Sequence, residues 1–552
     1  MTVPSPPPPR AQRLDDLSTK RFDAVVVGGG ITGAGVALDL KARGLNVALI
    51  EADDWAAHTS SASSRLIHGG LRYLEHYEFG LVRESCLERA WLLDAAAGMV
   101  WPEVFSFPLH KGDRVGPWKL RAGLWLYTLL SMPRRLGWPS VVSKPNALER
   151  FPGLDPEGLK GAGSYLDGAT DDARLTLSVV RTSLEAGVVA ASRIRADKIA
   201  DSAEGVAVQA TDQLTGRRLE IRAARAVLCG GPFTEALRAR AGLEGRWISS
   251  TRGGHVILDR ARLPTEGAVI FTSKVDGRAM FLIPWANRTV IGTTDLDTPT
   301  DKDPSMTREE VDYLLASANG LAPEANLTSD DVLSAWSGLR PLLAAPDEDP
   351  SARSREERVV REGNLFTIAG GKLTGFRSMA EPLGADLCRH LGRGDKSKKS
   401  PTRRMTLWGA LPEREGRSSW SRPFGPAGSP EGAQLRSELG DSKFLRAAAY
   451  RRRYGVHAPA VEALADGSAE LDAETLLGEV RWAVEQEDAL SVTDFLLRRT
   501  DVGYGALADL DRAAPMVLDE MASLLDWNED QRAAEESELG AALDRMHGWR
   551  AV

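Results

Sequence analysis

Cysteine is nearly absent: the 552-residue chain has three, Cys86, Cys229 and Cys388, an odd number with no CxxC spacing. That excludes a disulfide framework and a thiolate metal site and points to a reducing compartment. A long apolar run is missing as well. The most apolar stretch, Ala122–Met132, falls well short of the roughly 20 residues needed to cross a bilayer. The N-terminus lacks the apolar core of a secretory signal, so export is not expected. Nor is there an excess of basic charge, since 69 Lys and Arg against 77 Asp and Glu leave a net of −8, which argues against nucleic acid as a partner. The histidines show no ligand spacing, and no metal is expected.

What is present is ordinary globular material. Apolar residues make up 43% of the chain and charged residues 26%, and the length calls for two or three domains. Residues 1–20, with four consecutive prolines, read as a disordered tail. From Phe22 the texture becomes βαβ: an apolar run to Gly28, a helical period over Thr32–Arg43, and a second apolar run over Leu45–Glu51. Arg225–Gly231 and Asn364–Gly371 again run from apolar strand into paired glycines. Alternating segments such as His255–Asp259 and Ala279–Pro284 predict a second sheet for a substrate domain, interleaved with the first over residues 21–390. Residues 391–404 read as a linker, and 405–552 as a helical C-terminal domain, with helices over Ala473–Asp488 and Ala506–Leu525.

The sharpest local signal is Gly28-Gly29-Gly30-Ile31-Thr32-Gly33, set between strand and helix, with Glu51 18 residues beyond Gly33. Gly28 permits the tight turn, Gly30 lets a pyrophosphate approach the backbone, and Gly33 lets helix and strand pack closely. The helix N-terminus supplies unpaired N–H groups, and Glu51 can accept ribose hydroxyls. The expected fold class is therefore α/β, with a Rossmann-like dinucleotide domain. Gly230 marks a second place where backbone can pass close to a cofactor. Asp171 or Asp172, before an amphipathic helix, reads as an N-cap, and Cys229 as a small core residue.

After the second strand comes Thr59–Glu75, TSSASSRLIHGGLRYLE, where a purely NAD-binding chain would continue into a helix. This stretch, with GATDDARL at 168–175, RGGH at 252–255, IGTTD at 291–295, SGLRPL at 337–342, Ser354-Arg355 and GGKLTGFR at 370–377, resembles the FAD-dependent glycerol-3-phosphate dehydrogenases, within the glycine/D-amino-acid oxidase-like flavoproteins. The resemblance spans roughly residues 22–380 and implies an α+β substrate domain beside the FAD domain. It implies FAD contacts from Thr32, Ser60, Ser61, Ser64, His68, Gly69, Gly371, Lys372, Leu373 and Thr374, in addition to the glycines and Glu51 of the βαβ unit. Arg72, Arg340, Arg355 and Lys372, with Tyr73, are the implied phosphate-binding groups, and arginine suits that task because its planar fork binds phosphate bidentately. Arg72 and Arg340 each follow a Gly-Leu pair in apolar surroundings, where a charge without a partner is costly. The implied reaction is hydride transfer from C2 of sn-glycerol 3-phosphate to FAD, giving dihydroxyacetone phosphate. His255 is the favoured base and His68 the alternative, while Arg340 can also hold a forming alkoxide.

Reduced flavin needs an acceptor. Lys111–Arg135 carries Lys111, Arg114, Lys119, Arg121, Arg134 and Arg135 against one anion, Asp113, around an apolar centre bearing Trp118, Trp125 and Tyr127. Basic and aromatic residues in this mixture suit the lipid–water interface. The expectation is therefore a cytoplasmic protein attached peripherally to the inner face of the cell membrane, passing electrons to quinone. A soluble oxidase making hydrogen peroxide from O₂ is the alternative, and a non-catalytic flavin-binding scaffold is a third reading. The helical domain is open to dimerisation, so a homodimer stays among the expected partners.

Overall fold

The structure is a computed structural model that describes residues 5–113, 115–300, 304–344, 357–394, 399–412, 450–464 and 473–550. Two sheets organise it. The first is built on β1 (Arg21–Val27), which pairs in parallel with β2 (Val47–Ile50) on one side and β10 (Arg218–Leu228) on the other. Parallel β7 (Val189–Ala191) and β18 (Leu365–Gly370) extend it, and antiparallel β17 (Glu357–Glu362), β9 (Gly205–Asp212) and β8 (Ile194–Ser202) complete eight strands. β1 is apolar without alternation because both of its faces are covered. On one side lie α2 (Ile31–Ala42), α6 (Asp172–Glu185) and α9 (Phe376–His390). On the other, α1 (Arg10–Thr19) and α7 (Thr234–Ala239) pack with the β8–β9 ribbon.

The second sheet runs β15 (Leu296–Asp297), β11 (Ile248–Asp259), β14 (Arg288–Gly292), β13 (Ala279–Trp285), β12 (Ala268–Thr272), β4 (Val100–His110), β6 (Leu159–Thr170), β3 (Leu66–Ile67). β16 (Val332–Leu343) pairs with β11 and β5 (Ser140–Ser143) with β6. One face packs against α5 (Lys144–Arg150) and α8 (Arg308–Leu321), the other against α4 (Pro117–Leu130). α3 (Phe79–Ala95) bridges toward the first sheet. β3, β4, β6 and β16 lie within chain segments that leave the dinucleotide domain and return to it.

Two expectations are corrected. Residues 10–19 are a helix, because Leu14 and Leu17 share a face buried on the first sheet and Arg13, also buried, donates to both carboxylate oxygens of Asp488 at 2.7 and 2.6 Å and to the Ala190 carbonyl at 2.7 Å. The proline run stops short of that pair, and Asp488 lies 475 residues away. The described parts of 391–404 are not a free connection either. Ser400 hydrogen-bonds through its hydroxyl to buried Asp39, and its N–H donates to Glu381 Oε1 at 2.9 Å, while Thr402 is buried. The segment then lies on α3 and α6: Leu407 N donates to the Ala95 carbonyl at 2.7 Å and Trp408 N to Thr182 Oγ1 at 2.9 Å. The described residues beyond are helical, including Ala473–Glu487, Leu507–Leu524 and Glu529–His547. Among the described residues, no helix is long and apolar enough to cross a membrane.

Candidate active site

The turn between β1 and α2 is closed by its glycines. A Cβ on Gly28 (φ +117°) would stand 2.2 Å from the Cys229 carbonyl oxygen, and one on Gly33 1.8 Å from the Gly28 carbonyl oxygen. Both positions are therefore restricted to glycine. Over Gly30, by contrast, only Ser60 comes near, with its Oγ at 3.1 Å. Backbone at the N-terminus of a 12-residue helix is thus open to an anion. Glu51 is oriented rather than loose: Oε2 accepts Gly29 N at 2.5 Å and Oε1 accepts Asp53 N at 2.9 Å. Burial raises its carboxyl above the usual range, and those two amides oppose the shift. Lone pairs remain for ribose hydroxyls.

The loop after β2 then runs through the space between the sheets. Ser60 Oγ accepts Ile31 N at 3.0 Å, Ser61 Oγ donates to the His58 carbonyl at 3.2 Å, and Thr59 Oγ1 donates to the Leu339 carbonyl at 2.7 Å. Ser64 Oγ lies 2.8 Å from His255 Nε2. Half-buried His68 follows β3, and Gly69 N donates to Tyr127 Oη at 2.8 Å. A Cβ on Gly69 would stand 2.3 Å from Cys86 Sγ. Tyr127 was expected beside Trp118 and Trp125 at a lipid surface. It is instead buried, donating to Asp167 Oδ2 at 2.5 Å in a network that includes Arg89, because α4 turns a Leu120, Leu124, Tyr127 stripe inward.

The implied catalytic and phosphate-binding groups fall into two sets. In the first, β11 and β16 pair so that His255 stands opposite Trp336 and Thr251 opposite Arg340. The His255 ring stacks on Trp336 with centroids 4.9 Å apart. Burial pushes its pKa down to about 3, with Arg340 and Arg65 adding to the shift, so the ring is neutral at physiological pH. Its Nδ1 is buried without a partner. Arg340 is aimed by Asp295 Oδ1 and Thr293 Oγ1, both at 2.8 Å, and by the Thr294 carbonyl at 3.2 Å. Gly253 makes room for it, since a Cβ there would lie 2.1 Å from Arg340 Nη2. In the second set, Lys372 Nζ sits 3.9 Å from the centre of the Tyr73 ring and is buried without a hydrogen-bond partner. Tyr73 itself folds over Gly70.

Around these sets lie the remaining cofactor candidates. Half-buried Thr32 is in the first turn of α2. Gly230 precedes the turn Gly231–Phe233 at the end of β10, Gly371 has φ +90°, and Leu373 and Thr374 form the turn before α9. The side chain of Arg72 and the whole of Arg355 lie outside the described residues, as does Arg114. Asp171 is the N-cap of α6, accepting Arg174 N at 3.1 Å.

Sequence reading overlooked several supports. Arg65 stacks 3.9 Å over Trp285 and pairs with Asp171 at 2.6 Å. Thr293 and Asp295 hold Arg340, Trp336 stacks on His255, and Tyr127 holds the loop. Asp54, three residues after Glu51, is buried and paired with Arg499 (2.6 and 2.8 Å) and Arg498 (2.6 Å) of the C-terminal domain. Arg65 and Asp295 lie inside the quoted motifs and were within reach. The Asp54 partners, more than 440 residues away, were not.

Fold and site together define a flavin-dependent oxidoreductase. The family model described as FAD dependent oxidoreductase matches residues 23–380, and that of the C-terminal domain of alpha-glycerophosphate oxidase matches 401–532. The aerobic glycerol-3-phosphate dehydrogenases of Bacillus subtilis and Staphylococcus saprophyticus are 34% and 33% identical, over 97% of this chain and 97% and 96% of theirs. The crystal structure of the glycerol-3-phosphate dehydrogenase from Bacillus halodurans complexed with FAD superposes with a TM-score of 0.77 at 30% identity, covering 97% of both chains. The chain belongs to the aerobic glycerol-3-phosphate dehydrogenase family of FAD-dependent oxidoreductases. FAD is its cofactor, and the residues present fit it: an open helix N-terminus at Gly30, an oriented Glu51, and an unpartnered buried ammonium on Lys372.

Proposed function

We propose that the protein oxidises the secondary alcohol of sn-glycerol 3-phosphate to the ketone of dihydroxyacetone phosphate and passes the electrons to a quinone at a membrane surface. The observation that carries this reading is Arg340, fixed by Asp295 and Thr293, beside a neutral histidine whose Nδ1 lacks a partner. Bound FAD supplies the acceptor for the C2 hydride. The chain's own residues do the rest. Arg340 and the Lys372 ammonium bind the anionic substrate, and Arg340 holds charge developing on the hydroxyl oxygen as C2 becomes a carbonyl. The hydroxyl proton goes to His255, which Ser64 and Trp336 keep in place. A histidine held that low is a poor acceptor toward water. A substrate dianion next to Arg340 offsets the positive charge and makes it a better one.

Membrane attachment is assigned to α4 and the loop after it. Trp118 is 81% exposed, Leu129 54% and Trp138 53%, and Trp125 lies tilted against Trp138 with ring centroids 4.9 Å apart and Arg135 over the latter. Lys119, Arg121 and Arg134 are exposed around them. At about 1 kcal/mol per basic residue near an anionic surface, the cluster adds several kcal/mol to the insertion of the aromatics. The deciding experiment is anaerobic titration of the purified holoenzyme. Glycerol 3-phosphate, and not glycerol, should bleach the flavin absorbance, and a quinone in anionic vesicles should restore it. A spectrum indifferent to the phosphorylated substrate refutes the substrate assignment, and stoichiometric peroxide in air would make the protein an oxidase.

A further inference from the structure

Where the C-terminal domain covers α6, a charged group is buried without a hydrogen-bond partner. Arg181 is 1% exposed, and its Nε and both Nη atoms are buried without hydrogen-bond partners. Buried polar atoms of this kind are rare, and an unpartnered guanidinium calls for a bound water or ion. The carboxylates that act on it from a distance are engaged elsewhere. Glu487 accepts Arg174 Nη1 and Nη2 at 2.6 and 2.8 Å, and Asp488 is the partner of Arg13. Glu185, one turn further along α6, is exposed to water. The two buried carboxylates nearest it are thus each taken by another buried guanidinium, Arg174 and Arg13, and neither hydrogen-bonds Arg181.

Two further polar groups near Arg181 also lack hydrogen-bond partners. Its guanidinium lies 5.0 Å from the centre of the Trp408 ring, and His457 lies against the same indole, with ring centroids 4.6 Å apart. Trp408 Nε1 and His457 Nε2 are both buried without a hydrogen bond. Burial, with Arg181 and Arg174 adding to it, pushes His457 down to about 4, so this ring brings a hydrogen-bonding nitrogen and no charge.

We propose that a small inorganic anion of halide size, chloride in a cell, is bound by Arg181 together with the Trp408 indole N–H and His457, and forms part of the seam between the FAD domain and the C-terminal domain. Water would fill the hydrogen bonds but leave the charge uncompensated. A large oxyanion does not suit the seam, because Trp408 is already drawn onto α6: Ser178 Oγ donates to its backbone carbonyl at 2.6 Å and its backbone N–H donates to Thr182 Oγ1 at 2.9 Å. The site is separate from the one that holds Arg340 and Lys372 and does not rest on the proposed reaction.

The test uses the holoenzyme at constant ionic strength, with gluconate replaced stepwise by chloride and, in a parallel series, by phosphate. Chloride should raise the thermal midpoint saturably by about 2–5 °C, phosphate should do less, and Arg181→Met should remove the response. Wild-type crystals grown in bromide should show an anomalous peak within hydrogen-bonding distance of the Arg181 guanidinium, a readout that does not depend on the variant folding. A midpoint indifferent to the exchange, a chloride response that survives in Arg181→Met, or the absence of the bromide peak would each overturn the proposal, and a larger response to phosphate would replace the halide by an oxyanion.

Discussion

Replacing Arg340 by Met removes a fixed cation while keeping most of the side chain's length. Asp295 loses its 2.8 Å partner and keeps Arg278 at 3.5 Å, so the strand pairing around it should survive. One charge-assisted hydrogen bond to a substrate is worth about 1.5–3 kcal/mol, and at roughly 1.4 kcal/mol per factor of ten its loss should lower kcat/KM by about 10- to 150-fold. If Arg340 serves both phosphate and developing alkoxide, KM should rise and kcat fall together. A second consequence separates a catalytic role from a structural one. Burial is the largest cause of the low pKa of His255, and Arg340 is the next. Without that cation the imidazole should titrate nearer its ordinary value, and the acid limb of kcat/KM should move to higher pH. Arg340→Lys should restore much of the limb's position and little of the rate, since an ammonium supplies charge without the fork. Steady-state kinetics across pH, normalised to bound flavin, decide the matter. A kcat/KM within about threefold of wild type, or an acid limb that stays where it was, removes Arg340 from the reaction.

Other outcomes follow from the same geometry. His255, His457 and His547 are held down at about 3, 4 and 4, each chiefly by burial, so the unfolded chain binds more protons below about pH 6.5 and stability falls as pH drops; Glu535, held up at about 7, opposes one of the three. His255→Gln should flatten the urea midpoint's dependence on pH between about 6 and 4 by up to one proton, or roughly 1.4 kcal/mol per pH unit, and an unchanged slope refutes the burial argument. Arg499→Met should leave Asp54 with Arg498 alone and, by weakening a buried ion pair three residues from Glu51, lower FAD retention by about tenfold, as read by flavin release on dilution; a fall in thermal midpoint with unchanged FAD affinity would make the pair purely structural. Tyr127→Phe should cost about 1–3 kcal/mol by leaving the Gly69 N–H unpaired, seen as a lowered unfolding midpoint. Replacing Trp118 and Trp125 by Ser should abolish sedimentation with anionic vesicles while leaving turnover with a soluble acceptor unchanged, and retained sedimentation would move the contact away from α4.

Local chemistry was legible in the sequence because it is written in short spans. Gly28, Gly30 and Gly33 around a strand–helix turn, with Glu51 at the end of the next strand, state their geometry within about 30 residues. Apolar runs ending in paired glycines announced β10 and β18, and Asp171 as an N-cap needed only the helix that follows it. The motif order carried the family and its cofactor as well.

What the tertiary structure alone decided is which charges meet. A sequence cannot show that Arg13 faces Asp488, that Asp54 lies under Arg498 and Arg499, or that Tyr127 turns away from Trp118 to hold Gly69. The first two depend on which surfaces two domains bury against each other, and the third on how α4 packs on the second sheet. The same applies inside the site, where His255 and Arg340, 85 residues apart, become neighbours only because β11 and β16 pair in one register. Burial is a property of the packed chain, and it makes His255 neutral and leaves the Arg181 guanidinium without a hydrogen-bond partner. Short-range order follows from backbone and side-chain preferences, but the energy of a buried charge is set by partners that only the completed fold brings within reach.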